Sequence, residues 1–469
     1  MLRLSDSRLK VVIMFLAKVF QTFVDKRPVC VMARGILERI YEPNRLNTLF
    51  ENTAEACYTR KMQFAMLVGL LGDVVMGVQP SINAAYQAIP EVDRVVSLTA
   101  VYNKLDRVEP VVSAALVRDA AEQSAPLIDA LGARLPPWLP GFRCRILDGN
   151  ALSATEHRLE QLRTTWAAPL PGKVLVVFDQ EHMLATEVFL TEDGHAQERS
   201  LLDATLHSVV ERDLWLADRN FCTFKFLFGI AARLAFFLIR QHGSVKGTLL
   251  GKRRFRGRSL TGMVYEQKIE LHDAATGKTM ICRRITVELD QPTRDGDREL
   301  HLLSNVHKKD ADAVTLAELY RKRWTIETVF QEITTTLECE IHTLAYPKAA
   351  LFAFCLALVA YNAVSVLKGA LRVVHGAEMV QNEVSGYYLN LEIRSTYDGM
   401  MIAIPEEHWR IFRTLSVSAL ASLLKELAGH LELSRYQKHP RGPKKPAPKK
   451  TAYAHGNHVS TFKILNGNK

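Results

Sequence analysis

The chain has 469 residues, of which 48% are hydrophobic and 23% are charged, and its formal net charge at pH 7 is +10. This composition excludes a mainly disordered chain, and the length predicts a large core and two to four domains. Seven scattered cysteines without a CxxC pair argue against a disulfide framework and a zinc site, and they favour a reducing compartment.

The N-terminal residues, 1–140, show helical periodicity almost throughout and end in the proline-rich sequence PPWLPG. They predict an all-helical domain. From 143 onward the pattern changes to short strands and helices in the order β-β-β-α-β-α-β, which predicts the first part of an α/β domain over 141–242. Residues 243–306 then predict a β-rich insertion with two strands separated by the turn-prone sequence ATGK.

Helical pattern resumes over 307–370, where the last helix of the α/β domain is expected, and continues through a C-terminal helical region at 371–433. The run from 349 to 367 is apolar and nearly long enough to span a bilayer. We interpret it as a core helix, because it contains Asn362 and no second span accompanies it. No membrane partner is therefore predicted.

Most of the net positive charge lies in the last part of the chain. From Arg435 onward there are nine Lys or Arg residues and no Asp or Glu. Rich in Pro and Lys, residues 434–469 predict a disordered basic tail. A second basic cluster without an acid surrounds an aromatic residue and consists of Lys252, Arg253, Arg254, Phe255, Arg256 and Arg258. Together the two regions predict a polyanionic partner.

Two aspartates follow predicted strands. Asp148 ends the strand RCRILD and Asp218 ends the strand LWLAD. In this element order the two strands are expected to be parallel neighbours, so both strand ends would meet at one edge of the sheet. Carboxylates that close repel each other unless a cation intervenes, and hard oxygen ligands select Mg²⁺ or Mn²⁺. The nearest competing ligands are Asp179, Glu181 and His182, which follow the second strand and are expected at the opposite edge.

A third carboxylate lies on a predicted helix, in the sequence YRKRWTIETVFQEI. At about 100° per residue, Tyr320, Arg323, Glu327 and Gln331 fall within roughly 80° of one another, apart from an apolar stripe. An exposed salt-bridged face is the ordinary interpretation of such a pattern. The two aspartates at corresponding strand ends instead favour a functional interpretation of this helix face. On this interpretation Trp324 and Phe330 are packing residues.

These motifs resemble those of DDE transposases of the IS4 family, which have an RNase H-like mixed sheet. The matching residues are LDGN around Asp148, LADRNF around Asp218, and the pattern Tyr-x2-Arg-x3-Glu made by Tyr320, Arg323 and Glu327. The resemblance covers most of residues 60–365 and includes the β-rich insertion. One position departs, because Thr334 stands where the family pattern has a lysine.

The resemblance implies a catalytic triad of Asp148, Asp218 and Glu327 that binds two Mg²⁺ or Mn²⁺ ions. It implies that Tyr320 and Arg323 contact DNA phosphate, and that the helical N-terminal domain binds the element's ends. The expected partners are double-stranded DNA, meaning terminal inverted repeats and target DNA, and a second copy of the chain in the DNA complex. The expected place is the bacterial cytoplasm, in association with the nucleoid.

Two other functions remain open on the sequence. One is a catalytically silent DNA-binding derivative that inhibits an active copy, and the other is an RNase H-like nuclease without strand transfer. All three carboxylates are present, which favours an active transposase, whereas Thr334 is the main argument against it.

Overall fold

A computed structural model describes residues 20–56, 61–152, 169–293, 296–341, 343–439 and 458–467. The N-terminal part is helical, as the periodicity predicts. Proline opens three of its helices, at a position where the missing N–H has no partner to lose. The helices are α1 (Gln21–Lys26), α2 (Pro28–Ile40), α3 (Pro43–Thr53), α4 (Phe64–Val75), α5 (Ile82–Ala88), α6 (Leu98–Leu105) and α7 (Pro110–Leu131).

Next comes the first half of a mixed α/β sheet. The elements of this region are β1 (Arg143–Ala151), β2 (Pro169–Leu170), β3 (Lys173–Asp179), β4 (Leu184–Thr191), α8 (Leu202–Leu206), β5 (Asp213–Ala217), α9 (Phe224–Ala232) and β6 (Phe236–Arg240). All of these strands except β2 belong to the sheet. β1 is antiparallel to β3 and parallel to β5, and β5 is parallel to β6. The sheet order β4-β3-β1-β5-β6 is that of the predicted RNase H-like fold. In it the two strands that lead to the aspartates, β1 and β5, are parallel neighbours.

The insertion continues the same sheet. Its strands are β7 (Gly247–Ser259), β8 (Gly262–Asp273), β9 (Lys278–Leu289) and β10 (Glu299–Ser304). β10 pairs antiparallel with both β6 and β9, so the whole forms one nine-stranded sheet with β7 at its far edge. The sequence predicts the insertion but not this continuity, because the pairing partner of a strand is a long-range choice.

The helices after the insertion begin with α10 (Ala313–Arg321) and α11 (Thr325–Thr336), which are separated by a 3-10 turn at Lys322–Trp324. A long helix follows, and then a set of shorter ones. They are α12 (Pro347–His375), α13 (Ala377–Glu383), α14 (Gly386–Ala403), α15 (Glu406–Trp409), α16 (Ile411–Thr414) and α17 (Val417–Gly429).

The central core helix is α12. Within the described residues it is the one helix long and apolar enough to cross a membrane, and its apolar window is entirely buried inside the protein. The N-terminal helices, one face of the sheet and the C-terminal helices pack around it in a single hydrophobic core. The predicted boundaries at 140 and 371 therefore separate stretches of sequence that share this core, whereas the insertion packs in other clusters.

Residues 440–457, half of the predicted basic tail, lie outside the described residues. Beyond them, β11 (Val459–Ser460) pairs with β2, and a short helix, α18 (Thr461–Leu465), follows. Lys463 Nζ lies 3.4 Å from Asp193 Oδ2. The described end of the chain is thus attached to the segment before β3 and to the loop after β4.

Candidate active site

The two aspartates lie at one edge of the sheet. In the parallel pair, Leu147 of β1 is aligned with Ala217 of β5, so Asp148 and Asp218 are the next residues on the two strands. Asp218 leaves its strand and accepts a hydrogen bond from the backbone N–H of Asn220 at 2.7 Å, which caps the 3-10 turn Arg219–Phe221. Asp148 Oδ1 accepts the Gly149 N–H at 2.9 Å. Each aspartate follows a buried strand segment, and the two strands are parallel neighbours. The two side chains therefore lie at the same edge of the sheet.

Glu327 reaches this edge from the first turn of α11. The sequence predicts one continuous helix here, whereas the structure inserts the 3-10 turn before α11. A 3-10 turn rotates the chain by about 120° per residue instead of 100°, so the positions on either side of it are displaced around the axis. Arg323 is consequently only 7% exposed, while Trp324, which we expected to be a packing residue, is 65% exposed.

Arg323 joins two of the three carboxylates. Its Nη1 lies 3.1 Å from Asp148 Oδ2 and its Nη2 lies 3.4 Å from Glu327 Oε1. Its Nε is buried without a hydrogen-bond partner among the described residues. One guanidinium fork thus bridges residues that are 179 positions apart at their extremes, which ties the Glu helix to the first strand.

The charges of this cluster influence one another. Burial raises the pKa of Asp148 to about 6, with further repulsion from Asp218 and Glu327, although Arg323 and the Gly149 N–H oppose the rise. Burial by itself would lower the pKa of Arg323, but Tyr320 and the three carboxylates raise it. The charges of all three predicted acids therefore act on one cation, the guanidinium of Arg323.

Comparison with known proteins bears on this arrangement. Residues 140–363 match the family model of the transposase DDE domain, and this range contains both aspartates and Glu327. These residues form a transposase DDE domain. The chain is also similar to a piggyBac transposase in a synaptic complex with hairpin DNA, at 10% identity and a TM-score of 0.42, over 84% of this chain and 86% of that chain. No curated protein sequence matches the chain.

Metal binding by the DDE domain would require a change from this arrangement. Among the described residues, no three His, Cys, Asp or Glu side chains are close enough together to hold a metal ion. The donor chemistry nevertheless fits a hard divalent cation, because two carboxylates contact a positive charge and a third, Asp218, follows the neighbouring strand. In this structure that charge is the guanidinium of Arg323. An ion bound there would replace Arg323 as the partner of Asp148 and Glu327.

The sequence predicts that Tyr320 contacts DNA and that Trp324 is a packing residue, whereas the structure buries Tyr320 and exposes Trp324. Tyr320 is 6% exposed and belongs to the core cluster beneath α10, and burial raises the pKa of its phenol to about 12. It therefore presents little surface to DNA, although Arg323 lies 5.9 Å from its ring centroid. Trp324 is instead an exposed aromatic residue, and it directly follows the basic run Arg321–Arg323.

Thr334 and Glu332, farther along α11, have separate surroundings. Thr334 is exposed, and its hydroxyl donates to backbone carbonyls one turn back in its own helix. Glu332 forms an ion pair with Lys368 of α12, which supports its exclusion from the candidate triad.

The competing ligands lie at the other end of the strands. Asp179 is aligned with Arg145 near the start of β1, away from Asp148, and its Oδ2 lies 3.0 Å from Arg145 Nη1. Glu181 is paired with Arg134, and His182 contacts Asp179. Despite burial, the His182 hydrogen bond and the charge of Arg145 lower the pKa of Asp179 to about 2. These acids are neutralised by cations of the fold.

This second cluster gives a pH-dependent prediction for stability. His182 has a raised pKa because Asp179 accepts its hydrogen bond, so its contribution is complete below the ordinary histidine pKa and is lost as pH rises through the raised value. Replacing His182 with Gln should lower the free energy of unfolding by about 1 kcal/mol near pH 5 and much less near pH 9. Urea denaturation at both pH values measures this difference. The exposed His195→Gln is the control, and an equal loss at both pH values would contradict the assignment.

The predicted basic cluster lies on β7, and acids of neighbouring strands partly neutralise it. Arg253 pairs with Glu288 and Glu299, Arg256 with Glu266, and Arg258 with Asp290. For Lys252 and Arg254 the described residues provide no ion pair, and both side chains are exposed. Phe255 is 55% exposed and packs edge-on against Tyr265. The acids lie 10 to 46 positions away along the sequence, which a search for acid-free sequence cannot detect.

Proposed function

We propose that this protein is an active bacterial transposase of the IS4 type, which binds the ends of its element and cleaves and transfers DNA strands. The observation that carries the proposal is that Arg323 pairs with Asp148 and Glu327 while Asp218 follows the strand next to that of Asp148, all within the range that matches a transposase DDE domain. An inhibitory derivative would have no need of three interacting carboxylates at one edge.

In this proposal the three carboxylates bind Mg²⁺ or Mn²⁺, two ions per site. Bound there, the ions would activate water or a 3′-hydroxyl for attack on phosphorus and stabilise the leaving oxygen. Arg323, released from Asp148 and Glu327, would donate its planar fork to the phosphate beside the scissile bond. Tyr320 would hold the stem of Arg323 from below. Exposed Trp324 would offer its indole face to a base of the same strand.

The DNA is double-stranded, with inverted repeats at the element's ends and a separate target, and the N-terminal helices contact the repeats. Two copies of the chain would hold the paired ends. Lys252, Arg254 and Phe255, with Arg253, Arg256 and Arg258 beside them, would contact the flank, since the first two are not ion-paired among the described residues. We place the protein in the bacterial cytoplasm, bound to the nucleoid.

The experiment that tests this function is a cleavage assay. Purified full-length protein is incubated with a labelled end fragment, with Mg²⁺, with Mn²⁺ or with chelator, and the products are separated on a denaturing gel. We expect metal-dependent nicking at the element boundary and joined products when target DNA is present. Tight binding without cleavage would favour the inhibitor, and cleavage without joining would favour a nuclease that lacks strand transfer.

The basic tail gives a second prediction, for salt dependence. Replacing Arg441, Lys444, Lys445, Lys449 and Lys450 with Gln should weaken binding to end and random DNA to a similar degree. The slope of log K against log salt should fall by up to about four, because fewer counterions are released. This variant retains Val459–Ser460, which pairs with β2. A loss confined to the end sequence would show that the tail recognises bases instead.

Thr334 gives a third prediction. It lies about 20° around α11 from Glu327, so a lysine there would face the same strand of DNA. Thr334→Lys should tighten binding of the end fragment by about 1 kcal/mol if this phosphate contact is otherwise missing. Thr328→Lys, about 100° away from Glu327 on the same helix, controls for added charge alone. Equal gains from both variants, measured by gel shift, would contradict a specific contact at position 334.

A further inference from the structure

A fourth acidic side chain, Glu198, lies between the two aspartate loops. It opens the 3-10 turn Glu198–Leu201, in a segment that follows β4 and is only partly exposed. Its carboxylate accepts a hydrogen bond from the side-chain amide of Asn220. The backbone N–H of Asn220 is the donor to Asp218 Oδ1 at 2.7 Å. Glu198 is therefore connected to Asp218, the second candidate metal ligand, through one intervening residue, Asn220.

Asn220 is held at a second point by the same turn. Arg199 Nε donates to the Asn220 carbonyl oxygen at 2.6 Å. The side chains of two consecutive residues thus fix both the amide side chain and the backbone of Asn220. An exposed loop after a strand has few contacts that limit its backbone. These two hydrogen bonds limit the position of the Asp218 loop.

The other oxygen of Glu198 lies against Gly149 of β1, the residue that follows the first aspartate. A Cβ atom built on Gly149 would lie only 2.5 Å from Glu198 Oε1. Gly149 does not have a left-handed backbone, and it pairs with Leu175 in the regular ladder of β1 and β3. Its conformation therefore permits other residues. The absence of a side chain at 149 leaves room for the carboxylate of Glu198 against the strand residue that follows Asp148.

We propose that Glu198 is a positioning residue, which holds the Asp218 loop against the Gly149 end of β1 and so fixes the separation of the two aspartates. The inference rests on the proposed metal-dependent function of the same site. Glu198 acts through Asn220 and through its contact with Gly149. What it requires is a hydrogen-bond acceptor of this length, and the negative charge is secondary.

The test compares Glu198→Gln with Glu198→Ala. The glutamine carbonyl can still accept from Asn220, whereas alanine removes the acceptor. We expect Glu198→Ala to need about 10 to 100 times more Mn²⁺ for half-maximal effect, the range typical of residues that orient metal ligands. Glu198→Gln should stay within about threefold of the unaltered protein. The control is Asp203→Ala, which removes an exposed ion pair with Lys225.

Two measurements are made on each variant, half-maximal Mn²⁺ for end cleavage and Mn²⁺ affinity by titration calorimetry without DNA. Metal-free melting temperatures show whether each variant folds. Equal damage in Glu198→Gln and Glu198→Ala would show that the charge itself is needed, and the positioning role would be rejected. Unchanged metal dependence in Glu198→Ala would also reject it. Metal binding without cleavage in the unaltered protein would reject the proposed function but leave the Glu198 comparison decisive, and no metal binding at all would reject both.

Gly149→Ala supplies an independent arm. Its methyl group should displace the Glu198 carboxylate, so the variant should reproduce most of the effect of Glu198→Ala on Mn²⁺ dependence. Combined in one protein, the two changes should cost little more than either alone, since each removes the same contact. Multiplicative effects in the double variant would show that Gly149 and Glu198 act separately, which overturns the proposed link.

Discussion

Replacement of Asp148, Asp218 or Glu327 by Ala should reduce metal-dependent cleavage by at least about a thousandfold, because the bound ions supply several kcal/mol of transition-state stabilisation. DNA binding should change little, since phosphate contacts come from basic residues elsewhere. Denaturing gels measure cleavage, and gel shifts with the end fragment measure binding.

The control for these variants is Glu338→Ala. Glu338 follows the Glu helix and forms an exposed ion pair with Arg394, which is worth at most about 1 kcal/mol. The Glu338→Ala variant should cleave DNA at the normal rate. Full cleavage by any one of the three triad variants would remove that residue from the site, and loss of binding in all three would mean that the cluster is structural.

A comparably large effect is expected at Arg323. Arg323→Ala should abolish cleavage, and without metal it should also lower the free energy of unfolding by about 2 kcal/mol, because Asp148 and Glu327 then face each other without a cation. Addition of Mg²⁺ should restore much of that stability, since the ion takes the place of the guanidinium. Thermal denaturation with and without Mg²⁺ measures both quantities.

Arg321→Ala is the matched control, because Arg321 is exposed and pairs with Glu318 one turn earlier. It should lose little stability and show no larger response to Mg²⁺ than the unaltered protein. If Arg323→Ala is destabilised equally with and without Mg²⁺, the guanidinium supports packing and does not occupy the place of an ion.

The sequence was sufficient for the parts of the site that depend on local pattern. The strand ends at Asp148 and Asp218 follow from buried runs that stop at a polar residue, and the parallel pairing of β1 with β5 follows from the element order. The opposite location of Asp179 follows from the same topology. In these cases short-range pattern and the rules of chain connection determine the result.

Other features depend on contacts that no local pattern encodes. The 3-10 turn before α11 buries Arg323 and exposes Trp324, and it can be anticipated only if the carboxylates that attract Arg323 are already in place. Acids on β8 and β9 neutralise arginines of β7 through pairing that is set by register. The helix of this region is divided into a 3-10 turn, Glu198–Leu201, and a short α-helix, Leu202–Leu206, which its local pattern does not distinguish.

The shared core around α12 has a consequence for synthesis of the chain on the ribosome. The apolar faces of α2, α4 and α7 are covered by a helix that ends at His375, far behind Leu131. At roughly 5 to 20 residues per second, translation of the intervening chain takes about 10 to 50 seconds. For that interval the nascent N-terminal helices expose surface that can aggregate, so chains truncated before 347 should be recovered mainly in the insoluble fraction.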